Sequence, residues 1–247
     1  MEIPKKKISA ETKSPDKLLL YSLPKVGKTT AVSQLEDSLI IDLEKGTRFV
    51  DSVHMRANNP KELKELVNTL KEANEENDGK PIFKYGIIDT ATKLEEFAEE
   101  IGVQLYKGSA MGSKFKGGPL ELKALPMGAG YGYIRNAYKM LINSIAPLFE
   151  KLILIGHTKD KYTIKDDKEA TSIEVDLSGK LAQIVTQNVD AIGYVYRKKN
   201  EVWISFKTDG EIVTGNRSPH LSGKEILLSE SDEDGNVTTH WDKIFID

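Results

Sequence analysis

The chain has 247 residues, 39% hydrophobic and 30% charged, with a formal net charge of −3. That length can bury one sizeable core, and the charge excludes a protein that coats nucleic acid with its whole surface, although a local basic groove stays open. The absence of cysteine excludes disulfides, thiolate zinc sites and a cysteine nucleophile. No apolar run approaches the length of a membrane span, so no membrane contact is expected. Residues 1–17 are basic and polar without an apolar centre, which reads as an N-terminal arm and not as a secretory signal. A cytoplasmic location is the expectation.

Leu18-Leu19-Leu20-Tyr21 reads as a buried strand, and Ala31 to Leu35 as the start of a helix. Between them stands Ser22-Leu23-Pro24-Lys25-Val26-Gly27-Lys28-Thr29-Thr30. A strand, a turn ending Gly-Lys-Thr and a helix together form the setting of a phosphate-binding P-loop. Ser22, Pro24, Lys25, Val26, Gly27, Lys28, Thr29 and Thr30 are therefore expected to cradle the phosphates of ATP. Gly27 lets the backbone approach closely, Lys28 reaches the β- and γ-phosphates, and the Thr29 hydroxyl holds Mg²⁺. The position usually given to a leading glycine is Ser22.

Residues 38–44 read as a short buried strand ending in Asp42 and Glu44. Pro60 behind Asn59 opens a helix carrying Leu63, Leu66, Val67 and Leu70, and residues 74–81 read as a polar loop. Tyr85-Gly86-Ile87-Ile88-Asp89 is a second strand, followed by Thr90 and by a helix marked by Leu94, Phe97, Ala98, Ile101 and Leu105. Residues 107–132 carry many glycines and no sustained period, the signature of a long functional or mobile loop. A helix with Ile134, Tyr138, Leu141 and Ile145 follows, then a third buried strand at 151–156 with His157 just beyond it. Residues 158–171 read as a second long polar loop, and Ser178 as the cap of a helix with Leu181, Ile184 and Val185. Strands at 191–196 and 202–206 form a meander, Asp209-Gly210 is a turn signal, and the chain beyond Gly215 is less regular. Alternating strands and helices followed by a meander imply an α/β fold with a mainly parallel central sheet flanked by helices and antiparallel strands at the C-terminal edge.

Ligands of such sheets bind at the carboxyl ends of the strands, where Ser22, Asp42, Glu44, Asp89 and His157 all fall. Asp89 is expected to share Mg²⁺ with Thr29. Glu44, in preference to Asp42, is the candidate base for the attacking water. His157 either senses the γ-phosphate or is an ordinary loop histidine. Lys107, Lys114, Lys116 and Lys123, with Phe115, Tyr131 and Tyr133 among them, suit single-stranded nucleic acid or a solvated lid.

Residues 24–30, 41–47, 87–90 and 155–158, in this order, resemble the RecA-like ATPase core. They are most similar to the phage-encoded AAA-domain ATPases counted among RecA-like single-strand annealing proteins. The resemblance implies a core over 18–215 with a C-terminal extension over 216–247. It implies that Glu44, Lys28 and His157 are catalytic, and that residues 107–132 and 158–171, including Lys159 and Lys161, face single-stranded DNA. It further implies self-association into a ring or filament, with Arg217, Lys198 or Lys199 either completing a neighbour's ATP site or remaining plain surface charge. A single-strand-binding protein or another replication partner, and the bacterial host cytoplasm, complete that expectation.

Overall fold

The computed structural model describes residues 13–165, 168–208 and 210–246, so the first part of the expected N-terminal arm and Asp209 lie outside the described residues. In chain order the elements are β1 (Lys17–Ser22), α1 (Lys28–Ser33), β2 (Ser38–Asp42), β3 (His54–Arg56), α2 (Pro60–Glu76), β4 (Tyr85–Asp89), α3 (Ala91–Lys107), α4 (Pro119–Lys123) and α5 (Ala129–Ile145). They continue as β5 (Lys151–Lys165), β6 (Lys168–Val175), α6 (Lys180–Asn188), β7 (Ala191–Lys198), β8 (Glu201–Ser205), β9 (Gly215–Asn216), β10 (Glu225–Ser231) and β11 (Val237–Thr239). The sheet runs β11-β10-β8-β7-β1-β5-β4-β2-β3. From β7 to β3 neighbouring strands are parallel; β8, β10 and β11 extend the other edge antiparallel. This is the α/β fold with the mainly parallel sheet and antiparallel C-terminal edge that the element order implies.

The central strands are apolar on both faces because both faces are covered. Leu19 and Tyr21 of β1, Leu39 and Ile41 of β2, and Leu152 and Leu154 of β5 pack into one core with α2, α3, α5 and α6. Their alternate neighbours Leu18, Leu20, Ile40, Ile153 and Ile155 enter a second core with Ala31 and Val32 of α1. Trp241, Ile244 and Phe245 close that second core, and the Trp241 indole donates to the Ala31 carbonyl at 2.9 Å.

Several local expectations are corrected. Residues 158–165 and 168–171 are not a loop, and 166–167, part of the same expectation, lie outside the described residues. β5 runs on past His157 and pairs antiparallel with β6, from Thr158 opposite Val175 to Lys165 opposite Lys168. The β-branched and aromatic residues at 162–164 and 171–175 favour an extended chain despite their polar neighbours. Residues 107–132 are not one loop either. Leu122 is fully buried on α4, and α5 begins at Ala129. Gly130 lies so close to α4 that a Cβ there would clash with the Leu122 carbonyl oxygen, an interlock invisible to periodicity. α2 continues through Asn74, which is buried and bonds the Leu148 carbonyl and the Ile82 amide in place of opening a loop. Ser178 does not cap α6, which starts behind Gly179; its amide and hydroxyl donate to Glu95. Past Gly215, β10 and β11 continue the sheet. β3, only three residues long and too polar to read as a strand, is held by parallel pairing with β2.

Candidate active site

Register brings the expected residues to one rim. Ser22 at the end of β1 pairs with His157 across to β5, and Asp42 of β2 pairs with Asp89 of β4. Between β1 and α1 the chain makes a tight turn with Lys25 at φ 63° and Gly27 at φ 109°. The Gly27 conformation strains any residue with a side chain. Leu23, Pro24 and Lys25 are exposed at the tip, whereas Val26, Gly27, Thr29 and Thr30 are half-buried. An α-helix leaves its first N–H groups without intrahelical acceptors, so the start of α1 presents such donors to the turn. The turn leans on the β7–β8 hairpin: a Cβ on Gly27 would sit 3.2 Å from Val202 and 3.9 Å from the Arg197 guanidinium.

Lys28 is buried and folded back onto its own turn. Its ammonium donates to the Ser22 hydroxyl at 2.6 Å and to the Leu23 carbonyl at 3.1 Å. The serine in place of the usual glycine therefore holds the lysine. Burial pulls the Lys28 ammonium down to about 8, against the attraction of Asp89 and Glu44.

Thr29 and Asp89 meet directly, the hydroxyl donating to Oδ2 at 2.8 Å. Burial pushes the Asp89 carboxyl up; the Thr29 hydroxyl opposes this, and the charges of Glu44 and Asp42 add to it. Gly46 faces the same pair, and a Cβ there would stand 3.3 Å from Asp89 Oδ2 and 3.5 Å from Thr29 Oγ1. A hydroxyl and a buried carboxylate beside a space that a side chain would crowd fit Mg²⁺, which takes few protein oxygens and completes its shell with water and phosphate.

Asp42 is spent on the loop that follows it. Its Oδ1 accepts from the Glu44 and Gly46 amides, and its Oδ2 from the Thr47 amide, the Thr47 hydroxyl and Arg56 Nε. Burial acts to raise this carboxyl, but the Thr47, Gly46 and Arg56 donors outweigh it and hold it below the usual range. Glu44 projects from that loop. Its Oε1 accepts from the Thr90 hydroxyl at 2.6 Å, and its Oε2 lies 3.2 Å from His157 Nε2. The hydrogen bond with His157 holds Glu44 below the usual carboxylate range; burial opposes it and Thr90 assists. His157 Nδ1 is buried without a partner among the described residues. A neutral ring protonated on Nε2 donates to Glu44 and leaves only an acceptor unpaired, which is the less costly arrangement.

His157 is also where the nucleotide rim meets the hairpin. Its carbonyl accepts from the Asp176 amide, and its own amide donates to Thr92 Oγ1 at 3.4 Å. Thr92 in turn donates to the Asp176 carbonyl.

The expected DNA-facing residues divide in two. Lys114 and Lys116 are exposed and Lys107 is half-buried, and among the described residues none of them has an ion pair. Phe115 packs edge-on against Tyr106 at 5.0 Å, which leaves it half-buried. Lys123 pairs with Glu99, and Lys159 and Lys161 both pair with Glu174. Of the expected neighbour-reaching cations, Arg217 bonds Asp190 at 3.1 Å and the Gln187 carbonyl at 3.2 Å. Lys198 lies over the Tyr196 and Trp203 rings, and Lys199 occupies the exposed β7–β8 turn at φ 55°.

The model of the family described as AAA domain matches residues 14–218, most of the chain and all of the rim. The chain belongs to the AAA domain family. This AAA domain is accordingly a P-loop ATPase, a nucleotide-binding and nucleotide-hydrolysing fold. No curated protein matches the chain. Among the described residues, no helix of the AAA domain is long and apolar enough to cross a membrane. Sequence reasoning missed Arg197 beside the P-loop, the contact of Gly46 with Thr29 and Asp89, and the bond from Thr90 to Glu44. Thr90 and Gly46 stand in the very motifs that were read, beside the residues that drew attention.

Proposed function

We propose that this AAA domain hydrolyses ATP to control its grip on single-stranded DNA, in recombination, annealing or replication of phage DNA, as a RecA-like protein that self-associates. The observation that carries this reading is the place of His157. One residue touches the candidate base and begins the stretch of β5 that leaves the parallel sheet to form the hairpin with β6. A change at the γ-phosphate therefore has a short mechanical route to a surface outside the nucleotide site.

In this mechanism the P-loop holds the triphosphate and Lys28 leaves Ser22 to neutralise it. Thr29 and Asp89 would hold Mg²⁺, which when bound offsets charge on the β- and γ-phosphates. Glu44 takes a proton from a water whose oxygen bonds to the γ-phosphorus, as the bond from that phosphorus to the β–γ bridging oxygen breaks and ADP departs. His157 turns off Glu44 as the phosphate arrives and carries the change into β5. Of the expected DNA-facing lysines, Lys107, Lys114 and Lys116 are the ones with no ion pair among the described residues, which suits them to a nucleic-acid backbone.

The pairing of Lys123, Lys159 and Lys161 with carboxylates favours a second reading, a nucleotide-gated scaffold that binds a protein. Steady-state ATP hydrolysis with and without single-stranded DNA, at low and high salt, separates the two. Stimulation that fades with salt is expected; absence of stimulation together with absence of salt-sensitive DNA binding would overturn the DNA reading.

A further inference from the structure

A base on a loop beyond a strand end needs something to hold its side chain, because the loop backbone fixes only where that side chain begins. We infer that Thr90 is the positioning residue for Glu44, an inference that rests on Glu44 being the base. Thr90 is 1% exposed and stands at the N-terminus of α3, where its Oγ1 accepts from the Lys93 amide at 3.1 Å. With a lone pair engaged there, the hydroxyl proton is directed to Glu44 Oε1 at 2.6 Å. A β-branched side chain has little freedom at χ1, so the helix start fixes the hydroxyl and the hydroxyl fixes the carboxylate. The two chain segments are tied a second time, by the Leu43 amide on the Asp89 carbonyl at 2.7 Å.

The two oxygens of Glu44 are thereby given different work. Oε1 is bound to a group shielded from water. Oε2 is bound to His157, whose side chain is 26% exposed, beside a glutamate side chain that is 34% exposed. The Thr90 bond is the permanent one and the His157 bond the exchangeable one. Oε2 is therefore the oxygen that accepts the proton of the attacking water once the imidazole moves aside. Thr90 touches neither ATP nor water in this scheme; it acts through Glu44.

The test is a mutant cycle in steady-state hydrolysis with ATP affinity measured alongside. Thr90→Val should lower kcat by about 10- to 100-fold, the scale of a misplaced catalytic group. ATP affinity should stay within about twofold, because the side-chain hydroxyl bonds Glu44 and the Lys93 amide and not the P-loop. Thr90→Ser, which keeps donor and acceptor, should retain at least about a third of wild-type kcat. On a Glu44→Gln background, Thr90→Val should change the residual rate by less than about twofold, since a residue acting only through Glu44 has nothing left to position. Equal losses on both backgrounds, or wild-type kcat in Thr90→Val, would overturn the role of Thr90 while leaving Glu44 in place. Near-normal hydrolysis by Glu44→Gln would instead remove the reading beneath it. If Thr90→Val does not hold its fold by circular dichroism, Thr90→Cys, of similar size but with weaker hydrogen bonding, goes through the same cycle with the same criteria.

Discussion

At the rim of the parallel strands the carboxylates are held by fixed hydroxyl donors, whereas the lysines outside the rim either pair with a carboxylate or meet water. Asp42, Glu44 and Asp89 each accept from a threonine hydroxyl on a neighbouring strand end, loop or helix start. Lys161, by contrast, is half-exposed against Glu174, and Lys114 and Lys116 are open to solvent. A phosphate can approach Lys114 and Lys116 without displacing any carboxylate, since they meet only water. A shielded hydroxyl–carboxylate bond is far harder to replace, because the carboxylate left behind would be unsatisfied in a poorly hydrated place. The rim is thus organised before ATP arrives, and the lysine-bearing surface is adjustable. Chemistry belongs to the first and a variable partner suits the second.

The sharpest break in that contrast is at Glu44. Glu44→Gln should lower kcat by roughly 10²- to 10⁴-fold with ATP affinity retained, the range for loss of a general base; single-turnover hydrolysis beside equilibrium binding measures both. Next is Gly46→Ala, whose Cβ would press on Thr29 and Asp89. The Mg²⁺ concentration for half-maximal hydrolysis should rise by about 10- to 100-fold, as for other changes behind metal ligands, and a titration with Mg²⁺ reads this directly.

A smaller effect follows from Lys28. Its ammonium titrates at about 8 in the nucleotide-free protein and is stabilised once phosphate is bound. Below pH 8 it is charged in both states. Above pH 8 binding must take up a proton, so the Kd for ATP should rise by up to about tenfold per pH unit. Calorimetry at pH 9 in buffers of different ionisation enthalpy should show proton uptake approaching one. The least effect is expected on the adjustable side. Lys114→Ala and Lys116→Ala should each reduce the salt slope of single-stranded DNA binding by about 0.7. Lys123→Ala, which loses its Glu99 partner, should leave that slope unchanged.

The same contrast decides what was legible in the sequence. Gly27, Lys28 and Thr29 stand out because a short motif encodes a backbone shape, and apolar runs such as 152–155 mark strands buried on both faces. His157 was visible because it directly follows such a run. The hairpin of β5 and β6 was not, since polar residues on an outlying ribbon lack the apolar alternation that marks a half-buried strand. α4 was hidden for another reason: five residues are too few to show a helical period, and α4, which carries the buried Leu122, is held by packing against α3 and α5. The bond from Thr90 to Glu44 joins residues 46 positions apart, and only the alignment of β2 with β4 brings them together. Ser22 read only as a departure from the usual leading glycine; its hydroxyl is the acceptor that holds Lys28.

The central claim is that the state of the nucleotide site reaches the hairpin through His157. Amide hydrogen exchange along β5 beyond His157 and along β6, with and without a non-hydrolysable ATP analogue, tests it most directly. In the wild-type chain, exchange there should change on binding the analogue, and in His157→Ala it should stay at its nucleotide-free rate although the analogue still binds. A hairpin whose exchange is the same with and without the analogue in the wild-type chain, or one that responds equally in His157→Ala, would contradict the claim.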